Sequence, residues 1–379
     1  VATLFLIPGK TVFAEVGEVH DFRIHQHFLS PRAMGMGNAF TAVADDYAAA
    51  FYNPAGLARL SEGEMNFELR GALDPDIIKF VSDVQKASDG QGNDVQEMQD
   101  LLSNNYGKHY GMRAPTLAWY WARPRWEIAI IPVDLSLDLE FHQNVGPAMS
   151  LVAYQDTTIA YARGWDVKWF EKDRMSLGVT LKTIYRGYFN KNVAAVDLVF
   201  DQKILRAEDA SEGMTVDADF GMLYTPDPTH SRFSRAFRPS FGATVRSVAD
   251  YGFGTNFHVI NKESGKPPRD QRRLDLGSLF ELPDLWIFKS RFAFDVRDIG
   301  HENWTFKKGS HAGFEFLWKV ASWWQGGWRA GLNQGYLTLG FTGVFGIFQL
   351  DLTTYSEEVG PSDRPQSSRR YMAKASLDF

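Results

Sequence analysis

Three histidines lie close together near the start of the chain: His20, His25 and His27. Imidazoles at short spacing are the usual raw material of a transition-metal site. No matching carboxylate or cysteine pattern accompanies them, so the plainer reading is exposed or plug-segment histidines. Asp45-Asp46 is a carboxylate pair of the kind that does acid–base or cation chemistry. Set in a run of small residues, it reads better as a polar pair bonding the inside of a larger structure. Gly35-Met36-Gly37 lacks the Lys-Ser/Thr ending and the strand–helix frame of a phosphate loop, and no Gly-x-Ser-x-Gly elbow occurs. Cysteine is absent, which removes disulfide and thiolate chemistry. The sequence therefore predicts no catalytic residue, no bound metal and no cofactor, and so not an enzyme.

The elements around these residues are more telling. From about residue 63 apolar and polar side chains alternate at period two, the mark of two-faced strands. In Phe288–Arg297, Phe288, Phe292, Phe294 and Val296 share one face; Lys289, Arg291, Asp295 and Arg297 share the other. Similar runs predict strands at 63–71, 115–122, 125–142, 148–163, 174–188, 214–224, 237–248, 272–280, 285–298, 309–318, 323–332, 335–343, 345–355 and 369–379. That is about fourteen, an even number, as a bacterial single-chain barrel requires.

The apolar faces are rich in Phe, as a lipid-facing band needs, and an open sheet of this size would leave edges to protect. The expected fold is thus all-β: an antiparallel transmembrane β-barrel of about 14 strands. Connections after even-numbered strands are mostly short; those after odd-numbered strands include the long ones, 72–114, 189–213, 249–271 and 356–368. Tryptophans cluster beside the short connections (Trp119, Trp121 and Trp126; Trp165 and Trp169; Trp286, Trp318, Trp323 and Trp324), where a membrane–water interface favours an apolar ring with a polar N–H. Aromatics form 14% of the chain, net charge is -6 and mean hydropathy is -0.28. No 18-residue apolar run follows the first positions, so no transmembrane helix is expected. The mild acidity leaves no footprint for nucleic acid.

Three further segments complete the organisation. Val1–Pro8 is mostly apolar and Val12-Phe13-Ala14 fits a cleavage site, so 1–14 reads as the remnant of a secretory signal, with a buried first strand as the alternative. Residues 15–62 form an N-terminal plug and 63–379 the barrel. Within the helical outer loop at 72–114, Ile77, Ile78, Val81, Val84, Met98 and Leu101 sit at helical spacing. They form either a capture surface for an apolar ligand or a cap on the barrel mouth. The last strand alternates and ends in Phe: Tyr371 and Phe379 resemble the signal read by the barrel assembly machinery. Lys182, Arg186, Arg291 and Arg297 face the lumen, either to favour anions or to anchor the plug.

Residues 28–60 are dominated by small side chains. Within them, Pro31-Arg32-Ala33-Met34-Gly35-Met36-Gly37, Asp45-Asp46 and Asn53-Pro54-Ala55-Gly56-Leu57 resemble the N-terminal hatch of the FadL-type outer-membrane superfamily. About 30 residues carry the resemblance. It implies a fourteen-stranded barrel plugged by the hatch in its lumen, with hatch positions Pro31, Arg32, Gly35, Gly37, Asp45, Asp46, Asn53, Pro54 and Gly56. The implied function is passive outer-membrane transport of hydrophobic or amphipathic small molecules such as long-chain fatty acids. The same motif occurs in relatives serving protein secretion or surface assembly, which stands as the alternative. Expected partners are a hydrophobic ligand, outer-membrane lipids and lipopolysaccharide, and the assembly machinery. The expected state is a monomer in the bacterial outer membrane.

Overall fold

Fourteen strands among the described residues hydrogen-bond in chain order and close on themselves. They are β1 (Glu64–Leu73), β2 (His109–Arg123), β3 (Trp126–Gln143), β4 (Pro147–Val167), β5 (Arg174–Ala194), β6 (Ser211–Thr225), β7 (Ser240–Arg246), β8 (Arg273–Glu281), β9 (Phe288–Ile299), β10 (Ser310–Ala321), β11 (Trp324–Asn333), β12 (Tyr336–Phe345), β13 (Phe348–Glu358) and β14 (Ser367–Asp378). All pairings are antiparallel, and closure removes the edges. The computed structural model describes residues 21–88, 94–143, 147–200, 206–261, 265–284, 286–321 and 323–379. The proposed signal remnant at 1–14 and His20 lie outside them.

Alternation divides inside from outside. On β9, Asp295 is fully buried while its neighbour Phe294 faces out. On β2, Leu117 is 69% exposed beside the buried Thr116 and Ala118. Phe67, Leu69, Phe220, Phe241, Leu339 and Leu350 are likewise exposed and outward, whereas the inward positions carry charge. This is the inverse of a soluble protein and the pattern of a barrel solvated by lipid. No helix among the described residues is long and apolar enough to cross a membrane. The barrel closes where β1 meets β14, from Asn66 opposite Asp378 to Leu73 opposite Tyr371. Phe379 extends this seam by exchanging backbone hydrogen bonds with Met65 (2.9 and 3.0 Å).

The two ends differ. At the turn end, β2–β3, β10–β11 and β12–β13 are joined by two-residue connections. β4–β5 and β8–β9 take six residues each, and the long connection is 226–239, where Pro226 and Pro228 cannot donate to a ladder and a short helix, Arg232–Phe237, follows. At the loop end, the β1–β2 connection carries helices α1 (Pro75–Ser88) and α2 (Asp94–Asn104), and β5 leads into α3 (Ala195–Phe200). β4 and β5 run several residues past the expected boundaries, and β2 starts at His109 rather than at Pro115. The chain tolerates Pro115 because the wall is broken there. β2 pairs with β3 up to Arg113–Ser136 and again only from Trp119–Ile130, with Pro132 on the facing strand. A second irregularity, between Ile131 and Asp134, bends β3 against β4.

Candidate functional site

Residues 21–62 thread the lumen with little regular structure of their own: helical turns at Pro31–Gly35 and Ala49–Tyr52 and a 3-10 turn at Pro54–Arg59. Ser30 caps the first turn, with Pro31 at its first position. The Asn53 side chain caps the last, accepting from Ala55 N–H at 3.2 Å. A segment this irregular has many buried backbone groups that no ladder satisfies. The wall supplies their partners. The Asp295 carboxylate accepts from Phe40 N–H (2.8 Å) and Thr41 N–H (2.7 Å). Arg297 donates to Asn38 O (3.0 Å), Arg70 to Leu29 O (2.8 Å), His311 to Gly37 O (2.9 Å) and Thr353 to Pro31 O (2.9 Å). The charged lumen is therefore first of all the hydrogen-bonding frame of the plug.

Close approach is made possible by glycines in the wall. A Cβ on Gly313 or Gly331, which face each other across β10–β11, would collide with the backbone of Met36 and Gly37. Gly340 of β12 lies against Gly35, with only about 3 Å of room for a Cβ on either. Gly178 and Gly221 receive Asn53–Ala55, and Gly242 and Gly277 receive Thr41–Ala42. Three glycine seats thus hold three stretches of the plug. The middle is filled by apolar groups: Phe28 stacks on Phe51 (4.2 Å), and Phe40 and Tyr52 pack with a bed of alanines.

A cage of arginines surrounds Glu315, which is fully buried. Its carboxylate accepts from Arg32 (2.9 Å), Arg291 (2.6 Å) and Arg329 (2.6 Å). Arg32 also holds Asp45 (2.8 Å) and Asp46 (2.7 Å), and Arg291 holds Asp45 (2.8 Å). Asp45 is thus neutralised by arginine from both plug and wall and Asp46 by Arg32 of the plug, an arrangement for anchoring rather than proton transfer. Lys182 pairs with Asp219 (2.8 Å), and Arg186 with Asp156 (2.8 Å) and Asp270 (2.9 Å). The sequence reading found Arg32, Asp45, Asp46 and Arg291. It missed Glu315, Arg329 and the seats Gly313 and Gly331, which looked like ordinary members of alternating strands.

The other singled-out residues lie elsewhere. Among the described residues no group of His, Asp and Glu is placed to hold a metal ion. Ile77 and Met98 are buried, and Val84 and Leu101 pack beside them, against Leu139, Phe141, Met149 and Leu151. Because Ser136 and Asp138 of β3 point inward, these strand residues point outward. The helical loop thus covers the outside of the extended strands. Ile78 (60%) and Val81 (48%) remain exposed on it. Tyr371 and Phe379 lie outward on the closing seam.

His25 and His27 are built into the plug: His25 bonds Asp156 (3.2 Å) and stacks on Tyr154 (3.9 Å). Burial holds the His27 imidazole well below its ordinary pKa, with Lys182 and Arg246 adding to the depression and Asp270 and Asp156 opposing it. His25 is lowered too, by burial, against the pull of Asp156. A histidine kept neutral on folding leaves stability intact above about pH 6.5 and erodes it as pH falls toward the folded value, by up to about 1.4 kcal/mol per unit. Acidification from pH 7 to 5 is thus expected to lower the thermal midpoint, and His27→Gln to shrink that drop. A midpoint that falls equally in both proteins would remove His27 from the account.

Two cavities flank the plug. One of about 490 Å³ lies at the loop end among Arg23, His25, Tyr154, Tyr188 and Arg273. The other, about 500 Å³, lies at the turn end among Arg32, Asp46, Tyr47, Glu64, Lys289 and Arg329. A larger groove of about 790 Å³ runs along the lipid-facing side past Phe67, Leu117, Pro132, Phe348 and Leu377, beside the interruption between β2 and β3. No family model and no curated protein sequence matches the chain. Among solved structures it is similar to the toluene transporter TbuX of Ralstonia pickettii (10% identity, 93% of this chain and 98% of that one, TM-score 0.47). It is also similar to the toluene transporter TodX of Pseudomonas putida (10% identity, 95% and 98%, TM-score 0.43) and to a Pseudomonas aeruginosa FadL homologue (10%, 95% and 99%, TM-score 0.32).

Proposed function

We propose that the chain is a passive conduit of the bacterial outer membrane for hydrophobic or amphipathic small molecules, with the N-terminal plug as its gate. One observation carries this: a plug held mainly by side-chain bonds and glycine seats, with a backbone bond from Arg125 N–H to Leu57 O (2.8 Å), separates two lumen cavities inside a barrel with an apolar exterior. Contacts of that kind can be exchanged without breaking the wall, whose own ladder bonds stay in place. Cargo enters at the loop end, where Ile78 and Val81 offer exposed apolar surface. It leaves either past a shifted plug or through the interrupted β2–β3 ladder, which opens on the apolar groove. Motion down a gradient needs no energy source.

Purified protein in liposomes is expected to raise uptake of a labelled hydrophobic probe, oleate or toluene, above empty vesicles. Equal uptake with and without the protein would end the conduit reading. A stoichiometric protein partner co-purifying from the outer membrane would instead favour the secretion or assembly role.

A further inference from the structure

We infer that the loop-end cavity is a binding site for a compact aromatic carboxylate. The inference rests on the conduit reading and narrows its cargo. The cavity's size, about 490 Å³, is that of a small-molecule pocket. Its wall is unsuited to a long alkyl chain: among the described residues, Phe22 and Pro268 are the only apolar members besides the two tyrosines. An acyl chain there would strip water from charged and amide groups without replacing their hydrogen bonds.

The site instead offers flat rings and cations. Tyr154 and Tyr188 lie 4.8 Å apart, and His25 stacks on Tyr154 with an interplanar angle of 12°. Such an array receives another ring by offset or edge contact. Among the described residues, four guanidiniums line the cavity, from Arg23, Arg186, Arg269 and Arg273, with three carboxylates, from Asp21, Asp270 and Glu302. Three of the four are committed. Arg23 is matched by Asp21 and Asp138, Arg186 by Asp156 and Asp270, and Arg273 by Asp298. Arg269 is 59% exposed and meets Asp250 only at the limit of contact, its carboxylate and carbonyl oxygens each 3.5 Å away, so it is the cation most open to a ligand. A guanidinium fork matches a carboxylate in two parallel bonds.

The test is calorimetric titration of the full chain in detergent micelles with benzoate, cyclohexanecarboxylate, toluene and palmitate. Benzoate is expected to saturate a single site and to bind more tightly than the other three. Arg269→Gln, at an exposed position, should weaken benzoate about tenfold, the worth of one charge-assisted contact. Tyr188→Leu should weaken benzoate while changing cyclohexanecarboxylate less than twofold. Both variants should keep the wild-type melting midpoint, which separates lost binding from lost folding. Absence of saturable benzoate binding, wild-type affinity in Arg269→Gln, or displacement of benzoate by palmitate would each overturn the assignment. Binding in micelles requires no passage. Liposome uptake without benzoate binding discards this site and keeps the conduit; benzoate binding without uptake keeps the site and discards the conduit.

Discussion

Glu315→Gln protein should fold as a barrel but leak. In the wild type one fully buried carboxylate neutralises Arg32 from the plug and Arg291 and Arg329 from the wall. Glutamine keeps the shape and removes the charge, leaving the three guanidiniums to Asp45 and Asp46, with Asp351 reached from Arg329 through Thr342. Removing one partner from a buried ion pair costs about 3–5 kcal/mol. The ladder does not depend on this side chain, because β10 stays bonded to β9 and β11 along its length. The cost therefore falls on docking of the plug, and a shift of about 3 kcal/mol changes a closed-to-open ratio more than a hundredfold. In planar bilayers the variant should show ion conduction that the wild type lacks, and trypsin should reach Arg32. Asp45→Asn should do far less, since Asp45 is partly exposed and Asp46 remains on Arg32. Wild-type conductance and protease resistance in Glu315→Gln would show that charge does not hold the gate.

The wall was legible in the sequence because each strand states its own two faces. Phe292 and Phe294 against Asp295 and Arg297 fix the orientation of β9 without reference to any other strand. The plug was legible only as a motif, because a segment without period reveals nothing of its partners. Pro115 misled the boundary of β2, since its tolerance depends on a ladder broken by residues of β3. Asp45, Asp46, Arg32 and Arg291 were visible as charges, but Glu315 looked like any polar residue between Phe314 and Phe316. Of the lumen cations read as anion-favouring or plug-anchoring, Arg297 bonds the plug at Asn38 O, whereas Lys182 and Arg186 pair with carboxylates of the wall and loops. The seats were hidden most completely. Gly313 and Gly331 are 18 positions apart in the chain and become one surface only through the register of β10 with β11.

That surface supports the sharpest expectation. Valine suits a strand, so Gly313→Val leaves the ladder content, yet its Cβ would occupy the place of Met36 O. Neither side can give. Gly37 has φ +65° and is wedged between the carbonyls of Ala312 and Leu332, while Gly331 stands behind it with room for no Cβ. The first helical turn of the plug must lift from the wall, and Arg32, within that turn, is drawn away from Glu315. Gly313→Val should therefore lose both the shape contact and the charge contact, and conduct at least as strongly as Glu315→Gln. Phe314→Val, the next residue but facing lipid, should behave as the wild type. The comparison also orders the two forces: conduction in Gly313→Val but not in Glu315→Gln means the plug is held by fit, with the arginine cage as support. If neither variant conducts, although both melt as folded barrels, the plug is a fixed stopper and cargo must leave through the break between β2 and β3.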